Sequence, residues 1–563
     1  MKNTIYFKLL KAYCDNLIST QFDENAGVFA GGFMCPSCKM IHGRSPDAVY
    51  PLAIMAKITG ENKYLKSAEL VFDYGKELMC TDGALYNDTQ AGWRYTTVFH
   101  TISVLDTVIA LGDKISQSFK EKLIERSKIM ANWLFNNMTI ELCQFNINYL
   151  ATAPLALQLC GMVLENNEYI KRARFLADYA VKHISKNGLF YGESRIHDGL
   201  SALGCNSVDV GYDMEESLPN LIKYAHIVKD EEMLEKLANC LREMTVFMLP
   251  DGGLDNSFGC RNNKWTYWGS RTSDGCSPAY LLLADKDPMF IEAAYRNTKL
   301  LEECSPDGLL YGGPHYKKHG EYPCLHHTFE HACALAFIVD NIDVKYLTSN
   351  GQKLPLDKDF FKFYPEINSY KIAVGNYVAT ITGYDYAISA GHTSGGTLSL
   401  LYGRNVGPMI AGSVTDYVLV EPTNQQQALD KDHHRSLVPR IVKTIDGELY
   451  STSYYRHMTM QDEKVADGIK IKVKTGLSTK EDDVINDLKI GIEYLITPNG
   501  VEIKISNVND NKFILPLISG SVKVIKGNLE NTDDIFFLTG GFTAKEYTLA
   551  SDAGEIQLLI SEK

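Results

Sequence analysis

Asp82-Gly83-Ala84-Leu85-Tyr86 is a short phrase that returns with variations as Asn187-Gly188-Leu189-Phe190-Tyr191, Asp251-Gly252-Gly253-Leu254 and Asp307-Gly308-Leu309-Leu310-Tyr311. Each version places an acid or amide before glycine, which favours a tight turn because glycine takes positive φ without strain. Each follows a stretch with apolar residues at helical spacing. Working outward from these turns, that spacing recurs over 6–18, 48–58, 64–78, 98–111, 119–134, 148–163, 169–184, 216–228, 232–248, 279–283, 290–301 and 328–339. The pattern is a weak internal repeat of helical hairpins, and such repeats stack or close into a ring. A closed (α/α) toroid of helical hairpins over residues 1–348 is the expected architecture, with an open solenoid as the alternative.

The pattern breaks at 349–366, a polar stretch with Pro355 and Pro365 that reads as a linker. Beyond it, apolar residues alternate every second position over 370–374, 377–381, 397–401, 469–473, 490–496, 501–505, 514–518 and 556–560. Residues 367–563 are therefore expected to form an antiparallel β-sandwich. The fold class is multidomain, α then β.

Composition narrows the function. With 563 residues, 45% of them hydrophobic, the chain is long enough for two cores. A formal net charge of -13 argues against nucleic acid or an anionic membrane as the main partner. It leaves room for an anionic substrate held in a local cationic pocket. No apolar run reaches the roughly 20 residues that span a bilayer. The start, 1–18, alternates lysine with apolar residues and lacks a signal peptide's apolar core, so the cytoplasm is expected; a leader removed from the native chain would mean periplasm or secretion. Thirteen cysteines, an odd number, fit reduced thiols better than a disulfide framework. Nothing in the sequence specifies an oligomeric state.

Several stretches carry chemistry. In 209–219, Gly211 permits a turn, Tyr212 follows it, and Glu215 and Glu216 fall in the first turn of a helix, where the dipole favours carboxylates. Cys35-Pro36-Ser37-Cys38 with His42 has the most metal-like spacing in the chain. A fourth ligand is not visible nearby, so a tight turn with packed thiols is preferred there. Arg44, just beyond, can hold a carboxylate with its guanidinium fork. Trp93 and Arg94 pair an aromatic plate with a cation, which suits a sugar face and a uronate; His100 lies further into that helix. Asn146, Asn148 and Tyr149 open a helix that is otherwise apolar. One Asn there is explained as a cap; the rest is not. Trp268 and Arg271 form another aromatic-cation surface, for carbohydrate or a partner protein. His315 and Tyr316 add polar groups to a turn. His327 and His331 are four apart on one helix face, yet without the glutamate of zinc-protease helices, so no metal is expected there. In the β region, His392, Asp416 and His434 are read as loop residues, with zinc as the alternative.

Three of these stretches resemble the heparinase II/III-like polysaccharide lyases. Asn148-Tyr149-Leu150 resembles the family's Asn-His-Leu segment. Residues 209–219 resemble its Asp-Gly-Gly…Glu-x-Ser-Pro-x-Tyr segment. Residues 392–400 resemble its first sandwich motif, His-x-Asp-Ala-Gly-Ser-Phe. Tyr149 stands where the family has His, Asn220 near its Tyr and Ser394 in place of its Asp. The resemblance implies a toroid followed by a sandwich, and β-elimination at a uronic acid within an anionic glycan. It implies Asn148 as the group that neutralises the uronate carboxylate, with Arg94 or Arg271 assisting. Tyr212 is then the first choice as base and Tyr149 the second; His100, His315 and His392 are alternates for the partner. It implies no cofactor for the chemistry, and a structural Zn on His392, Asp416 and His434.

Two rival readings remain open. A glycoside hydrolase on the same toroid would use paired carboxylates, from Asp213, Glu215 and Glu216 or from Asp255 with Asp274. A glycan-binding protein would use the aromatic-Arg surfaces and turn nothing over.

Overall fold

The computed structural model describes residues 1–37, 39–87, 92–193, 199–261, 277–386, 393–412, 438–485, 488–535 and 541–563. Its helices, in chain order, are α1 (Ile5–Thr20), α2 (Val49–Thr59), α3 (Asn62–Tyr74), α4 (Thr97–Leu111), α5 (Gln117–Asn137), α6 (Ile147–Val163), α7 (Asn167–Ala180), α8 (Val210–Tyr212), α9 (Leu218–Val228), α10 (Glu231–Met244), α11 (Ser277–Leu282), α12 (Met289–Glu303) and α13 (Leu325–Asn341). They pair as hairpins, α2 with α3, α4 with α5, α6 with α7, α9 with α10, α11 with α12, and α13 with α1. One member of each pair also packs against its counterpart in the next pair: α2, α4, α6, α9, α11 and α13 follow one another, and α13 returns to α2. The ring is closed, so the helical unit is the (α/α) toroid expected from the turns.

Sequence decides which helix lies inside. In α6 every residue from Ile147 to Gly161 is buried, so the helix is enclosed on all sides. Outer helices show one apolar stripe. In α10 the buried residues are Met233, Leu234, Leu237, Ala238, Cys240, Leu241 and Met244, at helical spacing. The repeated Gly turns behave as read: Gly83, Gly188, Gly252 and Gly308 all have positive φ. Among the described residues, no helix is long and apolar enough to cross a membrane.

The chain divides into two compact units. One holds Met1–His197, Tyr212–Met244 and Arg271–Gln352; the other holds Asp198–Gly211, Thr245–Ser270 and Lys353–Lys563. In the second unit sixteen described strands form three sheets: β1 (Phe360–Tyr364), β2 (Ser369–Val374), β3 (Tyr377–Thr382), β4 (Thr397–Gly403), β5 (Gly407–Ala411), β6 (Arg440–Ile445), β7 (Glu448–Ser451), β8 (Thr459–Val465), β9 (Gly468–Thr475), β10 (Ile490–Thr497), β11 (Gly500–Ser506), β12 (Lys512–Leu517), β13 (Ser521–Lys526), β14 (Asn528–Ile535), β15 (Ala544–Ala550) and β16 (Glu555–Ser561). Their orders are β1-β2-β3-β4-β5, β13-β16-β11-β10-β9-β8 and β14-β15-β12-β6-β7, with antiparallel pairing throughout. One core joins them, with Ile372, Leu401, Ile441, Ile471, Ile503 and Phe513 from the different sheets. Within this unit Lys371 Nζ lies 2.6 Å from Asp255 Oδ2, and both side chains are almost wholly buried.

Candidate active site

Each inner helix from α2 to α11 is followed by an outer one that returns, and α13 follows the outer α12, so the inner helices all run the same way. Their N-terminal ends meet on one face, and each carries about half a positive charge from its peptide dipoles. Carboxylates gather among the same helices, Asp47, Asp106, Glu215, Glu216 and Glu330 beside the cations Arg44 and Lys223. A cavity of about 100 Å³ opens among these helices, with Arg44, Asp47, Phe99, Glu216, Glu330 and His331 in its wall.

Arg44 is placed by its neighbours in sequence. Gly43 donates its N–H to the Asn87 carbonyl at 2.9 Å. A Cβ at Gly43 would stand 2.0 Å from the Tyr86 carbonyl oxygen, so only glycine lets these strands of backbone meet. Arg44 then leads into the turn Ser45–Ala48 that starts α2. Its Nε lies 3.0 Å from Asp47 Oδ2 and its Nη2 lies 2.6 Å from Glu330 Oε1. The guanidinium also sits 4.2 Å from the centre of the Phe99 ring. Burial works against its charge, but Glu330 and Asp47 outweigh that and hold the proton more firmly than usual. Glu330 responds in the opposite sense. Burial raises its pKa, and despite the pull of Arg44 the carboxyl ends at about 7. Asp47 also meets His100 Nδ1 at 3.0 Å. Burial lowers the pKa of His100 more than that contact raises it.

Asn148 occupies the first turn of α6. Its Nδ2 donates to Glu216 Oε2 at 2.5 Å and its backbone N–H donates to Glu193 Oε1 at 3.1 Å. Asn146 is the N-cap residue of α6 without a side-chain capping bond. Asn148 Oδ1 instead accepts from the Tyr149 N–H at 2.9 Å, so one asparagine, with the distant Glu193 carboxylate, serves the helix end. Tyr149 points into an aromatic cluster with Trp93, Tyr95, Phe99 and Phe145. Its hydroxyl oxygen accepts from Trp93 Nε1 at 2.9 Å. A donor aimed at a phenol oxygen favours the phenolate. Glu215 and Glu216 lie on a π-helical turn, Asp213–Ser217, between α8 and α9. Glu215 Oε1 is 3.6 Å from His331 Nε2.

The structure thus brings Arg44 and Phe99 to the cavity, with Asn148 reaching it through Glu216, Tyr149 and Trp93 through Phe99, and His100 through Asp47. Tyr212 is buried at the end of α8, just before the π-helical turn, and is not in the cavity wall. Arg94 is bound at 2.9 Å to Asp82 on an exposed part of the surface. His315 is half-buried and Tyr316 fully buried, in the turn before α13, and neither lines the cavity. His315 has a lowered pKa, from burial and then from Lys318 and His319. Trp268, Arg271, Asp274, His392, Asp416 and His434 lie outside the described residues. Asp255, one of the carboxylates considered for hydrolysis, is taken up by Lys371.

Sequence reading passed over Asp47 and did not single out Glu330. The available signal for Asp47 was an acid in Ser45-Pro46-Asp47, directly before an apolar helix. For Glu330 it was a carboxylate among three histidines. Cys324 was missed as well. It joins Cys35 and His42 in a buried group whose side-chain geometry fits a metal ion.

Solved structures share this architecture. A heparinase III structure covers 99% of this chain and 84% of its own at 10% identity, with a TM-score of 0.51. The chondroitin AC lyase of Streptomyces coelicolor covers 99% and 79% at 11% identity, also with a TM-score of 0.51. The fold is therefore the one these lyases use. Sequence comparison is more specific. The model of the ulvan lyase N-terminal domain matches residues 10–357, and that of the ulvan lyase C-terminal domain matches residues 361–535. A broad-specificity ulvan lyase of Formosa agariphila is 33% identical over 534 residues, covering 91% of this chain and 82% of the relative. The chain belongs to the ulvan lyase family. It is a polysaccharide lyase that cleaves a uronate-containing glycan by β-elimination.

Proposed function

We propose that the substrate is an ulvan-type polyanion, that Asn148 and Arg44 receive the uronate carboxylate, and that Tyr149 removes the C5 proton. The name of the Formosa relative supports the substrate class. The observation that carries the assignment is that both proposed receptors already hold carboxylates, Asn148 that of Glu216 and Arg44 that of Glu330.

The chemistry follows from charge. A C5 proton next to an ionised carboxylate is hard to remove, because the enolate-like intermediate would carry a second negative charge. An amide and a guanidinium disperse that charge. Phenolate Tyr149 takes the proton, the C5–H electron pair becomes the C4=C5 double bond, and the C4–O4 bond breaks. A tyrosine's usual pKa of roughly 10 is high for a base, and the Trp93 N–H bond lowers the cost of the phenolate. The protonated phenol can then return its proton to O4.

Absorbance of the new conjugated double bond measures turnover. Tyr149→Phe is expected to lose at least about a hundredfold in kcat, and Asn148→Ala a similar factor. Tyr212→Phe, the first choice from sequence, is the comparison variant and is expected to lose less. Full activity in Tyr149→Phe, or a larger loss in Tyr212→Phe, would overturn the assignment. Cytoplasmic action on imported oligosaccharides is part of the proposal and is supported by the odd count of thirteen cysteines. Cell fractionation checks it.

A further inference from the structure

The geometry points to a structural zinc site on Cys35, His42 and Cys324. The two sulfurs are 3.9 Å apart. They and an imidazole nitrogen of His42 all lie within 4.8 Å of one another. Two thiolates on one tetrahedral zinc, each at about 2.3 Å, stand roughly 3.8 Å apart, whereas a disulfide holds its sulfurs at about 2.05 Å. The observed separation matches the first case.

Three further observations agree. The residues are buried, with Cys35, His42 and Cys324 at 0%, 8% and 2% exposure. His42 Nε2 is buried and has no hydrogen-bond partner among the described residues. A polar atom in that position needs an occupant. The surroundings also favour anionic sulfur. The Leu325 N–H donates to Cys35 Sγ at 3.4 Å. Cys324 is the N-cap residue of α13, where the positive end of the helix favours a thiolate. Cys35 itself lies in a tight turn, with its N–H on the Met40 carbonyl and the Lys39 N–H on its own carbonyl. Lys39 takes a φ of +58°, so the turn is held in a form that non-glycine residues seldom adopt. Two sulfurs with one imidazole select zinc over calcium or magnesium.

The site would close the toroid. It joins the turn after α1 to the start of the last inner helix, 289 residues away. It would also steady the cleft. His42 is two residues from Arg44 and stacks on His326 at 4.5 Å. His326 Nε2 in turn meets Glu330 Oε1 at 3.1 Å.

The test begins with the full chain, expressed with added zinc and dialysed against metal-free buffer. Elemental analysis is expected to find one zinc per chain. A mercurial that blocks thiols is expected to release it to a chromogenic chelator, a readout that requires no variant. Cys324→Ser and His42→Ala are expected to lose the metal, while Cys240→Ser, a buried control on α10, keeps it. Stripping the wild type with a strong chelator is expected to lower Tm by at least about 5 °C. Wild type that holds no zinc after loading, Cys324→Ser that keeps a full complement, or a Cys35–Cys324 disulfide in non-reduced peptides would each overturn the site.

Discussion

Arg44 holds two carboxylates at once, and one of them yields first. Burial brings Glu330 to about 7, well above its ordinary 4.5. Between these values the folded chain keeps a proton that the unfolded chain has lost. This contribution to stability is present below about 4.5 and is lost as pH rises through about 7. Glu330→Gln is expected to remove that part of the slope, in thermal melts of both proteins between pH 5 and 8. Identical pH dependence in the two would refute the role given to this carboxyl. A second residue-scale expectation concerns Lys371 and Asp255. Lys371→Met strands a buried carboxylate and should cost about 3–5 kcal/mol, whereas Lys371→Met with Asp255→Asn should recover much of it. Chemical denaturation measures both. Residues differ in how far the chain reveals them. Asn148 and Tyr149 stood out because polar groups there break an apolar pattern. Glu330 and Cys324 did not, since their partners come from distant segments, and Asp47 did not because its link to His100 spans 53 residues although Arg44 is only three away. Glu330 meets Arg44 from the last hairpin of the ring.

Among elements, the π-helical turn Asp213–Ser217 is the one that propensity does not explain. One extra residue in a helical turn rotates the rest of the helix about its axis, and such turns often mark functional sites. Here the turn carries Glu215 and Glu216 to His331 and Asn148. Deleting one residue within 213–217 is expected to leave the helical circular dichroism in place and lower activity by at least about a hundredfold. Retained activity would show that the turn does not aim these carboxylates. The helices themselves were legible because each buries a continuous stripe. Most interior strands were legible, β2, β3, β4, β9, β10, β11, β12 and β16, whereas β6 and β15, also interior, were not. The edge strands β1, β5, β7, β8, β13 and β14 were not. An edge strand pairs on one side only and tolerates charge on both faces. In β14 (Asn528–Ile535) all but Ile535 is exposed, so no alternation survives in its sequence.

At the scale of the whole molecule, an acidic protein has to meet an acidic polymer. The formal charge of -13 repels a polyanion at long range, while the proposed carboxylate receptors, Asn148 and Arg44, would attract it at contact. Salt shortens the long-range term first, since the Debye length falls from about 30 Å at 0.01 M to about 8 Å at 0.15 M. KM for a polymeric uronate substrate is therefore expected to fall over that range, by about twofold or more. A steady rise in KM with salt would mean that contact attraction dominates at every distance.

The ring also has a rear side. A second cavity of about 230 Å³ lies among the same inner helices, and Tyr50, Asp106 and Lys223 belong to the walls of both. Those three side chains are a bulkhead. Under the proposed assignment, Tyr50→Ala is expected to open that bulkhead to solvent and lower kcat while the helical circular dichroism stays unchanged.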